Sequence, residues 1–313
     1  MLLGGYSDME IVYVVASNKG GLPHYAAELA NAVSKDADVT VIKPSEEVDD
    51  ELFDSSIRLV NAFDPTELSV VNLYNFDFHL QKNLSGMASY NHVKAIEWLD
   101  PDVVHIPTGL FPHVKLFLWY HGIVGEYPTV VTRHELLSAN PSLNEYLRFP
   151  VLAQNALNFL LPELSVDQTV VHTKENKRTL QKKGVSGDNV SVIPHGAYDM
   201  FTKYEYEERP TEDNSVLFFG NIVPHKAVDT LVDAVLRARH EIPNIKLIIA
   251  GDGTIPPQTQ RRIENNPEQF EVHNEFIPNE TVGELFSRTS IAAMPYKDQG
   301  GNKGHSGTLT IAY

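Results

Sequence analysis

An apolar, β-rich run at 216–219 stops at Gly220, and a short turn through Asn221, Pro224, His225 and Lys226 leads into an amphipathic helical pattern. A strand that ends on glycine and hands over to a helix start aims unpaired N–H groups and the positive end of the helix dipole at one spot. Lys226 adds a compact, mobile positive charge there, suited to phosphate. The chemistry implied is recognition of a phosphorylated, nucleotide-linked ligand.

Other residues could serve the same chemistry. Gly20-Gly21 falls between a strand and a helix, where a side chain would block a diphosphate or sugar; a plain turn reads equally well. The three-glycine dinucleotide fingerprint is absent, so NAD is unsupported. Residues 300–308 (GGNKGHSGT) form a glycine-rich loop between a strand and a helix. No Gly-Lys-Ser/Thr triplet opens that helix, so it is not a P-loop. Its backbone N–H groups could cradle phosphate, or it is a flexible surface loop.

His134-Glu135 follows a predicted strand at 129–132, placing it at the usual ligand edge of an open α/β sheet. The run HELLS lacks the second histidine of a zinc protease, so zinc is rejected. His105, His113, His121, His172, His195 and His225 show no helical metal spacing, and no metal site is expected. Neither a Ser-His-Asp set nor a hydrolytic carboxylate pair can be assigned by spacing.

The elements that must position these residues alternate. Strands are predicted at 11–15, 39–42, 58–61, 103–106, 129–132, 169–172 and 190–193. Helices are predicted from Pro23, over about 87–99, near 110–121 and 142–161, and from an N-cap at Thr173 to Lys183. The polar, acidic stretch 198–214 reads as a linker. Strands at 216–219, 246–250, 269–273 and 291–294 then alternate with helices at 226–239, 257–265 and 280–288. Such alternation with buried strands implies parallel sheets covered on both faces. The domains expected are 1–197 and 215–313, and two such units imply a cleft between them. Residues 306–313 read as the first turns of a helix with no stop signal, and the second domain is short for its class, so a truncated product is expected.

Composition narrows the partners. Lys+Arg 25 against Asp+Glu 41 leaves a net charge of −16, which argues against nucleic acid and broad attraction to anionic lipid. The chain has no cysteine, which excludes disulfides, thiolate catalysis and Cys-bound metal. There is no run long enough for a membrane span and no signal-peptide pattern, so a cytoplasmic enzyme is the default, with peripheral membrane contact left open.

Taken in order, GGLPHYAAELANAV, PDVVHI, VVTRHE, VSVIPHGAYDMF, VLFFGNIVPHKAVDTLVDA and IPNIKLIIAGDG resemble the retaining glycosyltransferases of family 4. The resemblance implies an α/β fold of the GT-B type, two Rossmann-like parallel-sheet domains facing a cleft, the second incomplete. It implies metal-independent transfer of a sugar from a nucleotide donor, such as a UDP- or GDP-sugar, to an acceptor hydroxyl with retention. No cofactor is implied. Gly20 and Gly21 would approach the donor diphosphate and sugar, Lys226 would grip the diphosphate, and His134 would lie near the transferred sugar. Gly251, Gly253 and Ile277 would lie near the base, and Ser306, Gly307 and Thr308 could hold phosphate.

Two departures stand out. Asn221 replaces the family's usual Arg after the strand's Gly, removing one fixed cation. The family's Glu-x7-Glu signature falls on Gly304 and Ala312, so both carboxylates are absent. The alternatives are a catalytically degenerate binding or scaffold protein and a GT-B nucleotide-sugar 2-epimerase. The acceptor (sugar, lipid-linked glycan or small molecule) is not specified by the sequence.

Overall fold

A computed structural model describes residues 9–17, 20–45, 50–67, 79–136, 164–205, 211–297 and 306–312. The described residues divide into two compact units, the first ending at Tyr198 and the second starting at Asp199. The helix predicted at 142–161 and the glycine-rich stretch 300–305 lie outside the described residues.

The first unit carries strands β1 (Glu10–Val14), β2 (Asp38–Pro44), β3 (Arg58–Phe63), β4 (Val103–Ile106), β5 (Thr129–Arg133), β6 (Gln168–Val171) and β7 (Val190–Val192). They form one seven-stranded sheet, ordered β3-β2-β1-β4-β5-β6-β7, in which every pairing is parallel. Its helices include α1 (Gly21–Val33), α2 (Leu80–Ser89), α3 (Pro112–Tyr120) and α4 (Lys174–Lys182). Local chemistry sets their starts. Pro112 opens α3 at its first position, and the Thr173 hydroxyl accepts the Asn176 N–H at 3.0 Å to cap α4. The β-branched strand residues bury into one core with Phe63, Tyr90, Ile96 and Leu118. Burial of this kind, at roughly 25 cal/mol per Å² of apolar surface, is what holds helices on a parallel sheet.

The second unit has β8 (Glu212–Phe219), β9 (Lys246–Ala250), β10 (Phe270–His273) and β11 (Thr289–Ala292), ordered β10-β9-β8-β11 and again all parallel. Helices α5 (Val228–Ala238), α6 (Pro257–Glu264), α7 (Asn279–Ser287) and α8 (Gly307–Ile311) accompany it. Val228, Val232 and Val235 lie along one face of α5 and bury against Leu247, Ile249 and Phe218. Among the described residues, no helix is long and apolar enough to cross a membrane.

Two local expectations change. The region 87–99 is not one helix: α2 ends at Ser89, a 3-10 stretch runs Tyr90–Ala95, and one α-turn covers Ile96–Leu99. Tyr90 is the reason we find for the break. Its ring stacks on Phe63 at 4.0 Å and its hydroxyl donates to the Ala16 carbonyl at 2.9 Å, fixing the backbone by distant contacts. The described parts of the stretch expected as a linker, 198–205 and 211–214, carry structure of their own. Met200 and Phe201 are buried in a 3-10 turn, and β8 begins at Glu212 because that residue pairs with Thr289.

The starts of the second unit's strands are tied by charge. Arg288 donates to both Glu271 oxygens, at 2.9 and 2.8 Å, and through Nε to Glu212 at 2.8 Å. Lys246 adds an ion pair to Glu271 at 2.6 Å, and His273 Nε2 lies 2.8 Å from it. Partial burial works to raise the Glu271 carboxyl, but these hydrogen bonds outweigh it and hold it at about 2, below its ordinary 4.5. A depressed carboxylate stabilises the fold above its unfolded value and loses that contribution as pH falls through the folded one. Acid unfolding followed by circular dichroism is therefore expected to steepen between about pH 4.5 and 2. Glu271→Gln is expected to flatten that limb; an unchanged limb would place the acid sensitivity elsewhere.

Candidate functional site

Each sheet reverses its connection order once, and in open α/β sheets ligands bind beyond the strand C-termini at that point. In the second unit the reversal lies between β8 and β11. Gly220 leaves β8 there with φ +104°, a conformation that favours glycine. A methyl group on Gly220 would stand 2.7 Å from Lys226 Nζ and 3.4 Å from Thr308 Oγ1. The ammonium and the hydroxyl thus converge over the bare Cα at the strand's end. Thr308 is buried, and its hydroxyl donates to the Phe219 carbonyl at 3.3 Å. Lys226 lies in the 3-10 turn Pro224–Lys226, and Ala227, in the left-handed region at φ 51°, turns the chain into α5.

Tyr296, beyond β11, joins this group. Its hydroxyl lies 2.7 Å from Ser306 Oγ, and Lys226 Nζ is 6.0 Å from its ring centroid, within cation–π range. Sequence reasoning did not single out Tyr296; its place just past an apolar strand run was the available signal. Asn221 is exposed at the same strand end. Lys297 is committed elsewhere, paired with Asp229 at 3.0 Å.

Gly251 and Gly253 have a different structural reason to be glycine. A Cβ at 251 would meet the Gly220 carbonyl oxygen at 2.3 Å, and one at 253 the Ile222 oxygen at 2.2 Å. The chain after β9 runs hard against the chain after β8, with Gly220 N–H donating to Ala250 O at 2.9 Å and Ile222 N–H to Asp252 O at 2.7 Å. Ile277, half-buried, packs with Phe219 and Phe286 against Leu217, Ile248 and Leu285.

In the first unit the reversal lies between β1 and β4. Gly20 precedes α1 in the left-handed region at φ 82°, and no side chain caps that helix. Gly21 accepts a hydrogen bond from Tyr198 Oη at 3.1 Å. His134, just past β5, donates from Nε2 to the Pro107 carbonyl at 2.7 Å, and its Nδ1 lies 3.1 Å from His172 Nε2. His172 directly follows β6, and His195 lies a little beyond β7. Tyr25 from α1 packs against all three imidazoles, with centroids 4.6, 5.4 and 5.0 Å away. His105 lies behind them, 2.9 Å from Thr132 Oγ1; burial, and then the nearby His134, hold it at about 4.

Among the described residues, His134, His172 and His195 are the one set of potential ligand groups close enough to hold a metal ion, with one ligand atom from each within 4.8 Å of the others. Local spacing hid this set, because the three come from the ends of three strands. Each directly follows or closes an apolar strand run, and that was the signal.

Residues 19–198 match the family model for Glycosyltransferase Family 4, and residues 213–309 match that for Glycosyl transferases group 1. A curated relative, the UDP-N-acetylglucosamine–peptide N-acetylglucosaminyltransferase GtfA subunit of Streptococcus gordonii, is 28% identical over 140 residues. That match covers 43% of this chain and 26% of the relative, so it spans about a quarter of the relative's length. Among solved structures, AviGT4, a glycosyltransferase involved in avilamycin A biosynthesis, superimposes with TM-score 0.56 at 13% identity, over 96% of this chain and 74% of that one. The UDP-GlcNAc 2-epimerase of Neisseria meningitidis bound to UDP-GlcNAc superimposes with TM-score 0.54 at 14% identity, over 91% and 77%. At such identities these two structures establish the GT-B-like fold alone.

The close approach at residue 251 carries a test. Gly251→Ala forces a Cβ into a backbone carbonyl at a strained φ of +147°, and is expected to lower stability by at least about 1 kcal/mol. Thermal unfolding measures it; an unshifted midpoint would show that the two strand ends separate freely.

Proposed function

The chain belongs to glycosyltransferase family 4, and we propose that it moves a sugar from a nucleoside diphosphate donor to an acceptor hydroxyl with retention at the anomeric carbon. The observation that carries this reading is the convergence of Lys226 and Thr308 over Gly220, at the point where the second sheet reverses its order. As the bond from the anomeric carbon to the diphosphate breaks, negative charge collects on the leaving phosphate. A cation and preset N–H donors at that spot lower the barrier by stabilising the charge as it develops. Lys226, the backbone at Gly220–Asn221 and the Ser306–Thr308 turn take that role in place of a divalent cation. As the acceptor oxygen bonds to the anomeric carbon, the departing phosphate oxygen takes its proton.

The same reading assigns Gly20, Gly21 and His134 to the transferred sugar, and Gly251, Gly253 and Ile277 to the base. The donor to try first is UDP-N-acetylglucosamine, the one in the GtfA subunit's name. Asn221, with Gly304 and Ala312 in place of carboxylates, favours one rival, a degenerate chain kept as a scaffold subunit that no longer takes up the donor. Calorimetry with UDP and GDP and their sugars separates that rival, which a silent titration supports. Epimerised nucleotide sugar without acceptor would instead indicate a 2-epimerase.

Lys226→Ala is expected to lower donor turnover at least tenfold, equivalent to about 1.4 kcal/mol of barrier. Undiminished sugar transfer by that variant would remove Lys226, and the donor-site assignment with it.

A further inference from the structure

We propose that the first unit carries a separate binding site for a pyranose sugar, in a pocket beside Trp98 at the outer edge of its sheet. The site is built wholly from first-unit residues, and the inference stands whether or not the donor-site reading does.

The pocket has a volume of about 440 Å³ and lies where β2 and β3 end, against the 3-10 stretch and α-turn that follow α2. Asn61, Asp64, His92, Lys94 and Trp98 line it. β3 is the outermost strand, two places from β1, where the connection order reverses. At a strand spacing of about 4.8 Å the pocket stands roughly 10 Å to the side of that reversal. The imidazoles beyond β5, β6 and β7 lie on its other side.

Trp98 is the residue that asks for a ligand. It is 81% exposed, more than any other large apolar side chain among the described residues. Within that same set its ring meets no other ring and its indole N–H meets no acceptor. The backbone beneath it is nevertheless fixed. Val93 and Ile96 are buried in the core, Leu99 packs against it, and the Asp100 N–H closes the turn on the Ile96 carbonyl at 2.9 Å. An indole held in water on an anchored turn is a preset apolar platform with a polar tip.

The polar groups around the platform are uncommitted. The side chains of Asn61, Asp64 and Lys94 have no hydrogen-bond or ion-pair partner among the described residues. His92 Nδ1 lies 2.9 Å from the Ala62 carbonyl, which only accepts, so this nitrogen carries the proton. In the neutral ring Nε2 is then left as an acceptor. Asn61 and Lys94 supply donors, and Asp64 supplies acceptors. Asp64 and Lys94 carry opposite charges, so the lining selects neither an anion nor a cation. A pyranose matches this combination, because one face of its ring is C–H and its rim is hydroxyls that both donate and accept. The C–H face lies on the indole, and the hydroxyls meet the amide, carboxylate and ammonium. A free monosaccharide and the end of a glycan chain offer this same chemistry.

The chain has two tryptophans, so Trp119→Phe leaves Trp98 as the single one in the full protein. Its emission is expected to move saturably to shorter wavelength with methyl glycosides of glucose, galactose, mannose or N-acetylglucosamine, or with maltotriose or chitotriose. Tighter binding of the trisaccharides would identify a glycan chain as the source, and equal binding a single sugar; both support the site. Asn61→Ala and Asp64→Ala are each expected to weaken binding about fivefold. In the wild type, saturation-transfer NMR is expected to mark the protons of one sugar face. Trp98→Ala is expected to lose that signal while keeping the wild-type melting temperature. No saturable shift with any of these sugars, or an equal shift with uridine, would overturn the site. So would a transfer signal undiminished in Trp98→Ala, or competition by UDP, which would move the sugar to the donor residues.

Discussion

The strand-end face of the second unit depends on a place with no room for a side chain. The backbone at Gly251 lies so close to the Gly220 carbonyl that a Cβ would meet the oxygen at 2.3 Å, and Gly253 repeats this against Ile222. That approach lets the pairing of β8 with β9 continue past both strands, through Gly220–Ala250 and Ile222–Asp252 hydrogen bonds. The turn carrying Asn221 to Lys226 therefore leaves the sheet along a set path. A lysine on a loose loop would lose side-chain and backbone entropy on binding; one anchored beside a sheet has less to lose.

Charge is distributed to match. A chain of net charge −16 repels anions at long range, so anion recognition has to come from donors held close together. At the strand starts, Arg288, Lys246, Glu212 and Glu271 neutralise one another. At the strand ends, Lys297 is matched to Asp229, while Lys226 stands over glycine beside hydroxyls.

The first unit gathers several imidazoles at the ends of neighbouring strands. Burial works against the charged form, as the depressed value of His105 at about 4 shows. Backbone carbonyls at Pro107, Ile193 and Gly196 then set which nitrogen of each neighbouring ring carries its proton. All three carbonyls belong to segments just beyond strands of one sheet, so the sheet that gathers the rings also orients them.

Much of this was legible in the chain. Alternating β-branched runs and amphipathic stretches mark parallel α/β units because each element must bury one face or stripe. That Lys226 comes close to Gly220 was legible because the strand, turn and helix start that join them are contiguous. Where expectation and structure part, distant contacts are responsible: Tyr90, held by Phe63 and Ala16, interrupts a helix that local pattern would continue. Only the tertiary structure brings Thr308 and Tyr296 to Lys226, or His172 and His195 to His134. Those meetings follow from sheet orders in which β11 lies beside β8 and β5, β6 and β7 lie side by side. Local propensity sees a few residues at a time, and strand order is decided by burial across the whole sheet.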